Sequence, residues 1–92
     1  MKKHKIIIWD DNPVRISEME THLRMALIER EMDVDIQINN ERPLLARNGM
    51  IGAMPAFQID EGDFWRLNVG KSVSVEEFRK FLYRIVEVEH LL

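Results

Sequence analysis

The chain has 92 residues, 46% hydrophobic and 32% charged, which is the composition of one small globular domain and excludes the disordered and collagen-like classes. It has no cysteine, which excludes disulfides, thiolate metal sites and thiol redox chemistry. Its 13 basic and 16 acidic side chains are mixed along the chain to a net charge of −3, so nothing points to nucleic acid or an anionic membrane as partner.

Met1-Lys2-Lys3-His4-Lys5 has the basic character of a signal-peptide start. The apolar run Ile6-Ile7-Ile8-Trp9 is stopped by Asp10-Asp11, short of the roughly 7–15 apolar residues such a peptide needs. No stretch approaches the roughly 20 apolar residues of a membrane helix. The expectation is a single cytoplasmic domain spanning residues 1–92.

Residues 5–9 predict a strand that is β-branched and apolar on both faces, as in a central strand covered by helices on both sides. Asn12-Pro13 opens a helix, since Asn suits the N-cap and Pro the first helical position. Ser17 and Glu20 offer a capping box one turn later, an alternative start. Ile16, Met19, Leu23, Ala26 and Leu27 form the core stripe, and Met25, Ile28 and Met32 widen it, which predicts burial over more than one stripe. Val34, Ile36 and Ile38 alternate with Asp33, Asp35, Gln37 and Asn39, the pattern of an edge or half-covered strand. Pro43 starts a short helix through Leu44, Leu45 and Ala46, ended by Asn48-Gly49.

Pro55 opens a strand from Ala56 to Asp60, and Asp60-Glu61-Gly62-Asp63 is a turn. Trp65, Leu67 and Val69 alternate with Arg66 and Asn68, which predicts another edge strand, broken by Gly70. Ser74 and Glu77 form the capping box of the last helix, whose core stripe is Phe78, Phe81, Leu82 and Ile85. The order is β-α-β, a short α, then β-β-α. The long helical crossover makes the first two strands parallel and the short turn makes the last two antiparallel. The fold class is α/β, a four-stranded mixed sheet with helices on both faces.

This order, with Gly52, Pro55, the apolar strand Ala56 to Ile59, Gly62, Gly70, Phe78 and Leu82 in the second half, resembles a minimal thioredoxin-like fold. Within that superfamily the chain looks most like the small glutaredoxin-like members, over nearly its whole length. Redox members carry Cys-x-x-Cys where the first strand meets the first helix. Here Pro13 and Ile16 stand at those positions, so the resemblance implies a member without the family's chemistry and without a cofactor or metal. It also implies a cis bond at Met54–Pro55, with the free main chain of Met54 available to pair with an extended peptide. Asn12, Pro13, Ile16, Met54, Pro55 and Gly70 would then form one partner-binding surface, and Trp65, on an edge strand, would mark a further contact.

Asp10 and Asp11 also resemble the acidic pair of response-regulator receiver domains, with Asp60 as phosphoacceptor and Lys71 as partner lysine. Only ten residues separate Asp60 from Lys71, too few for the dozen or more of a parallel crossover. The plainer reading of Asp10 and Asp11 is a solvated strand end that favours the helix N-terminus. His4, His22 and His90 are dispersed and read as surface histidines. The methionines read mostly as core, with Met50 and Met54 as candidates for an adaptable contact surface. Val86, Val88, Leu91 and Leu92 add apolar character that suits packing or self-association. The expected function is therefore a redox-inactive, non-enzymatic adaptor that binds a protein. A self-associating structural subunit is the alternative, and a receiver-like phosphoacceptor a more distant one.

Overall fold

A computed structural model describes residues 4–60, 62 and 64–89. The elements run β1 (His4–Trp9), α1 (Pro13–Glu29), β2 (Val34–Asn39), α2 (Arg42–Arg47), β3 (Ala56–Ile59), β4 (Phe64–Trp65) and α3 (Val75–Glu89). They build an open four-stranded mixed sheet in the order β2-β1-β3-β4. β1 lies parallel to β2, with Ile6 beside Ile36 and Ile8 beside Ile38. It is antiparallel to β3, with Ile6 beside Ile59 and Trp9 beside Ala56. β4 continues antiparallel on β3 through Phe57–Trp65 and Gln58–Phe64.

The apolar run of β1 is buried on both sides because both faces are covered. Ile6, Ile8, Phe57 and Ile59 meet Met19, Leu23, Ala26 and Leu27 of α1 and Phe78, Phe81 and Leu82 of α3. Ile7, Trp9 and Ala56 meet Leu45 of α2 with Met50 and Met54 of the loop that follows it. Edge-to-face aromatic pairs hold each layer, Phe57 on Phe78 at 5.3 Å in the first and Trp9 on Phe64 at 5.4 Å in the second. The indole N–H of Trp9 donates to Gln58 Oε1 at 3.2 Å.

Local signals set the helix ends. Asn12 Oδ1 accepts the Arg15 N–H at 3.0 Å with Pro13 in the first turn, so the helix begins there and Ser17 lies inside it. Gly49 takes φ +70° just past α2, where a β-carbon is disfavoured. Ser74 closes its capping box both ways: Glu77 N–H donates to Ser74 Oγ and Ser74 N–H to Glu77 Oε1, each at 3.1 Å. Val73 and Phe78, flanking that cap, lie in one core cluster, the arrangement of a hydrophobic staple.

Two expectations are corrected. α1 buries one stripe only: Met25 is 48% and Ile28 75% exposed, because α1 has the sheet and α3 on one side and no layer of described residues on the other, while Met32 does pack on the core. The last strand is two residues long, not five. The register that pairs Trp65 with Phe57 would set Leu67 opposite Pro55, which has no N–H to continue the ladder. Leu67 and Val69 are accordingly exposed. Glu61 and Asp63 of the expected turn, His90, Leu91 and Leu92, and the side chains of Ile85, Val86 and Val88 lie outside the described residues. No described helix is long and apolar enough to cross a membrane.

Candidate functional site

Asn12, Pro13 and Ile16 sit at the start of α1, beyond the end of β1. Met54 and Pro55 precede Ala56, which lies beside Trp9, so they reach the same end of the sheet. Gly70 joins them by donating its N–H to the Met54 carbonyl at 2.8 Å. The Met54–Pro55 peptide is cis. Six of the seven expected partner-binding residues thus lie toward one end of the sheet, but only Asn12, Pro13 and Gly70 are exposed. Ile16, Met54 and Pro55 are buried, and the Met54 carbonyl is already taken. The free Met54 main chain is therefore corrected on its acceptor side, because the chain curls back after β4 with Gly70 at φ +78°. Met50 is also fully buried, so neither methionine forms an adaptable surface.

Asp10 is not solvated. It is 0% exposed, and its carboxylate accepts Arg15 Nε and Nη2, both at 2.6 Å, in a two-pronged ion pair. The Asp11 N–H adds a third bond at 2.8 Å. Hydrogen bonding to Asp10 holds the Arg15 guanidinium above its ordinary value, against the opposing effect of partial burial. The Asp11 and Asn12 amides just ahead of α1 are thus turned to this internal carboxylate, and the Arg15 amide to Asn12 Oδ1. The sequence signal, missed above, is an aspartate ending a strand with an arginine one turn into the next helix. Asp11 accepts Arg42 Nη1 at 3.1 Å, which ties α2 to the end of β1.

Asp60 lies at the other end of the sheet. Its Oδ1 accepts the Lys5 N–H at 2.9 Å, and its Oδ2 is 2.9 Å from His4 Nδ1. Because β3 runs antiparallel to β1, the five residues from Lys5 to Asp10 put about 16 Å between Asp60 and the acidic pair. Asp10, Asp11, Asp60 and the exposed Lys71 are not assembled as a receiver needs. No three described His, Cys, Asp or Glu side chains are placed to hold a metal ion. His4 and His22 are half-buried structural groups rather than free surface ones. His22 Nδ1 is 2.8 Å from the Val73 carbonyl, so that nitrogen carries the proton and links α1 to the start of α3.

A second surface opens between β4 and α3. A groove of about 650 Å³ has Phe57, Trp65, Phe78 and Phe81 beneath it and Leu67 and Tyr83 at its margins. Trp65 packs edge-on against Phe81 at 5.5 Å, so its ring is held rather than free to swing. Leu67 is 48% and Tyr83 56% exposed, and the Arg30 guanidinium sits 5.6 Å over the Tyr83 ring. Lys80 and Arg84 line the groove one turn apart, with Glu77 before them. Of these residues the sequence marked only Trp65 as a contact. Leu67 escaped because alternation assigned it to a strand face, and Tyr83 because it falls outside the core stripe. Comparison with protein-family models, with curated proteins and with solved structures finds no match.

Proposed function

We propose that the chain is a redox-inactive, thioredoxin-like protein-binding module that docks a partner in the groove between β4 and α3. The strand order β2-β1-β3-β4 with helices on both faces supports the thioredoxin-like reading. Pro13 and Ile16 at the positions of the family's cysteines carry no nucleophile, and Asp10 fills the head of α1. The observation that carries the binding reading is the open aromatic groove itself. Its volume lies within the roughly 300–1,000 Å³ of sites that bury a bulky ligand group. Rigid aromatic side chains in such a position are the usual anchors of protein interfaces. The end of the sheet at Asn12 and Pro13 is a lesser contact, since Gly70 occupies the Met54 carbonyl.

The test is selection from a random peptide display library on the whole chain, with Leu67→Glu as counter-screen. Leu67 is half exposed, so the substitution spares the core. Peptides retained by the wild type and lost on Leu67→Glu are the expected result. A selection that Leu67→Glu leaves unchanged overturns the groove as the docking site.

Self-association is a second reading, favoured by Val14, Met25 and Ile28, exposed along one stripe of α1. Sedimentation reads it directly: a chain that stays monomeric at high concentration, with Ile28→Asp no different, removes it.

A further inference from the structure

Resting on the docking reading above, we infer that the groove takes an extended acidic segment of a partner protein, anchored by a bulky apolar side chain. Charge decides the first part. Lys80 and Arg84 have no ion-pair partner among the described residues, whereas Arg79 is engaged by Glu29 at 2.6 Å and Arg30 by Tyr83. The carboxylate lining the groove, Glu77, is held by the Ser74 N–H in its own cap. Two cations with no ion-pair partner among the described residues therefore border an aromatic groove on a chain whose net charge is −3. At physiological salt fields fade over about 8 Å, so a ligand in the groove feels this local pair more than the distant carboxylates. Arg66, just past β4, adds a third cation to the lining, and its Nε donates to the Ala53 carbonyl at 3.1 Å.

The extended conformation follows from the sheet. β4 is a two-residue edge strand, with β3 on one side and no strand on the other among the described residues. Its outer main chain is a template for strand addition. Within the two residues of β4, Trp65 points to the α3 side and Phe64 to the α2 side. A strand added there presents alternate side chains to the two faces. An apolar residue enters beside Trp65, and acidic residues flanking it meet Lys80, Arg84 and Arg66 along the groove.

The peptides selected above are sequenced. One of them is then titrated by fluorescence anisotropy against the wild type, Leu67→Glu and the double variant Lys80→Glu/Arg84→Glu. Both charges are on exposed helix positions, and circular dichroism checks that the fold is kept. The expected peptides carry two or more Asp or Glu around an aromatic or Leu. Charge reversal weakens binding on the order of tenfold at low salt, with a smaller gap at physiological salt. Peptides that are neutral or basic yet lost on Leu67→Glu overturn the acidic occupant and leave the docking reading intact. So does an affinity that charge reversal does not change. Recovery of no peptide sensitive to Leu67→Glu overturns both.

Discussion

The ion pair between Asp10 and Arg15 makes the sharpest test of how this small chain is held together. Arg15→Leu removes both guanidinium bonds at 2.6 Å and leaves the fully buried Asp10 carboxylate with its amide bonds from Asp11 at 2.8 Å and from Asn12 at 3.4 Å. Breaking one side of a buried pair costs about 3–5 kcal/mol, because the remaining charge has no solvent to replace its partner. Arg15 is 16% exposed and two amide bonds survive, which lowers the expectation to about 2–4 kcal/mol. Unfolding entropy of about 2.1 cal/mol/K per residue makes 1 kcal/mol worth about 5 °C in a chain of 92 residues. Thermal melts followed by circular dichroism should therefore show Arg15→Leu about 10–20 °C below the wild type. Asp10→Asn should cost less alone. The double variant Asp10→Asn/Arg15→Leu should be less damaged than the sum of the two, by about 1–3 kcal/mol, since the second change removes the charge that the first stranded. Strict additivity, or a melting point for Arg15→Leu within about 2 °C of wild type, would refute the pairing as a source of stability.

Ser74→Ala opens the capping box of α3 and should lower stability by about 1 kcal/mol, read as a melting point about 5 °C lower. Glu31 follows α1 at φ +53°, so Glu31→Gly should raise the melting point by about 2–5 °C, and a fall would count against backbone strain there. Hydrogen bonding to Arg79 holds Glu29 below its ordinary value of 4.5, outweighing desolvation. A lowered folded value means that the pair stabilises fully above about pH 4.5 and is lost as pH falls through the folded value. The melting difference between wild type and Glu29→Gln should therefore be present at neutral pH and vanish in acid, and a difference that persists in acid would contradict the assignment.

The fold was legible where one residue type answers one geometric need. Asn12-Pro13 marked the start of α1 because a cap and a donor-free first position are needed there, and Ser74 and Glu77 marked α3 for the same kind of reason. The alternation in β2 and the unbroken apolar run of β1 reported how many faces are covered. Alternation failed at Leu67 and Val69 because it reports which face a residue takes, not whether a neighbouring strand is there to pair. What ended β4 was Pro55, ten residues before Trp65 and just ahead of β3. Asp10 was misread for a related reason. Its position at a strand end suggests solvent, and only Arg15 folding back over it from the first turn of α1 permits full burial. The Met54 carbonyl was expected to be free because nothing local reveals that Gly70 returns to it.

Gly70 is where the two candidate surfaces meet, and its backbone carries a consequence for both. The segment from Arg66 to Gly70 has left the sheet, and its return is fixed by the bond from Gly70 N–H to the Met54 carbonyl. That bond closes the end of the sheet, and the same segment carries Leu67, the margin of the groove. A β-carbon at Gly70 meets nothing within 4 Å, so the whole cost of Gly70→Ala is conformational, from φ +78°. That cost is about 1–2 kcal/mol, or about 5–10 °C in the melting point. Gly70→Asn should cost about half as much, since Asn adopts this region more readily. If the return segment shapes the groove, Gly70→Ala should also speed hydrogen exchange at its own amide and weaken the selected peptides, although residue 70 does not line the groove. Equal melting points for wild type, Ala and Asn, with unchanged exchange at that amide, would mean that the turn is not held by this glycine and that the groove wall is set by β4 and α3 alone.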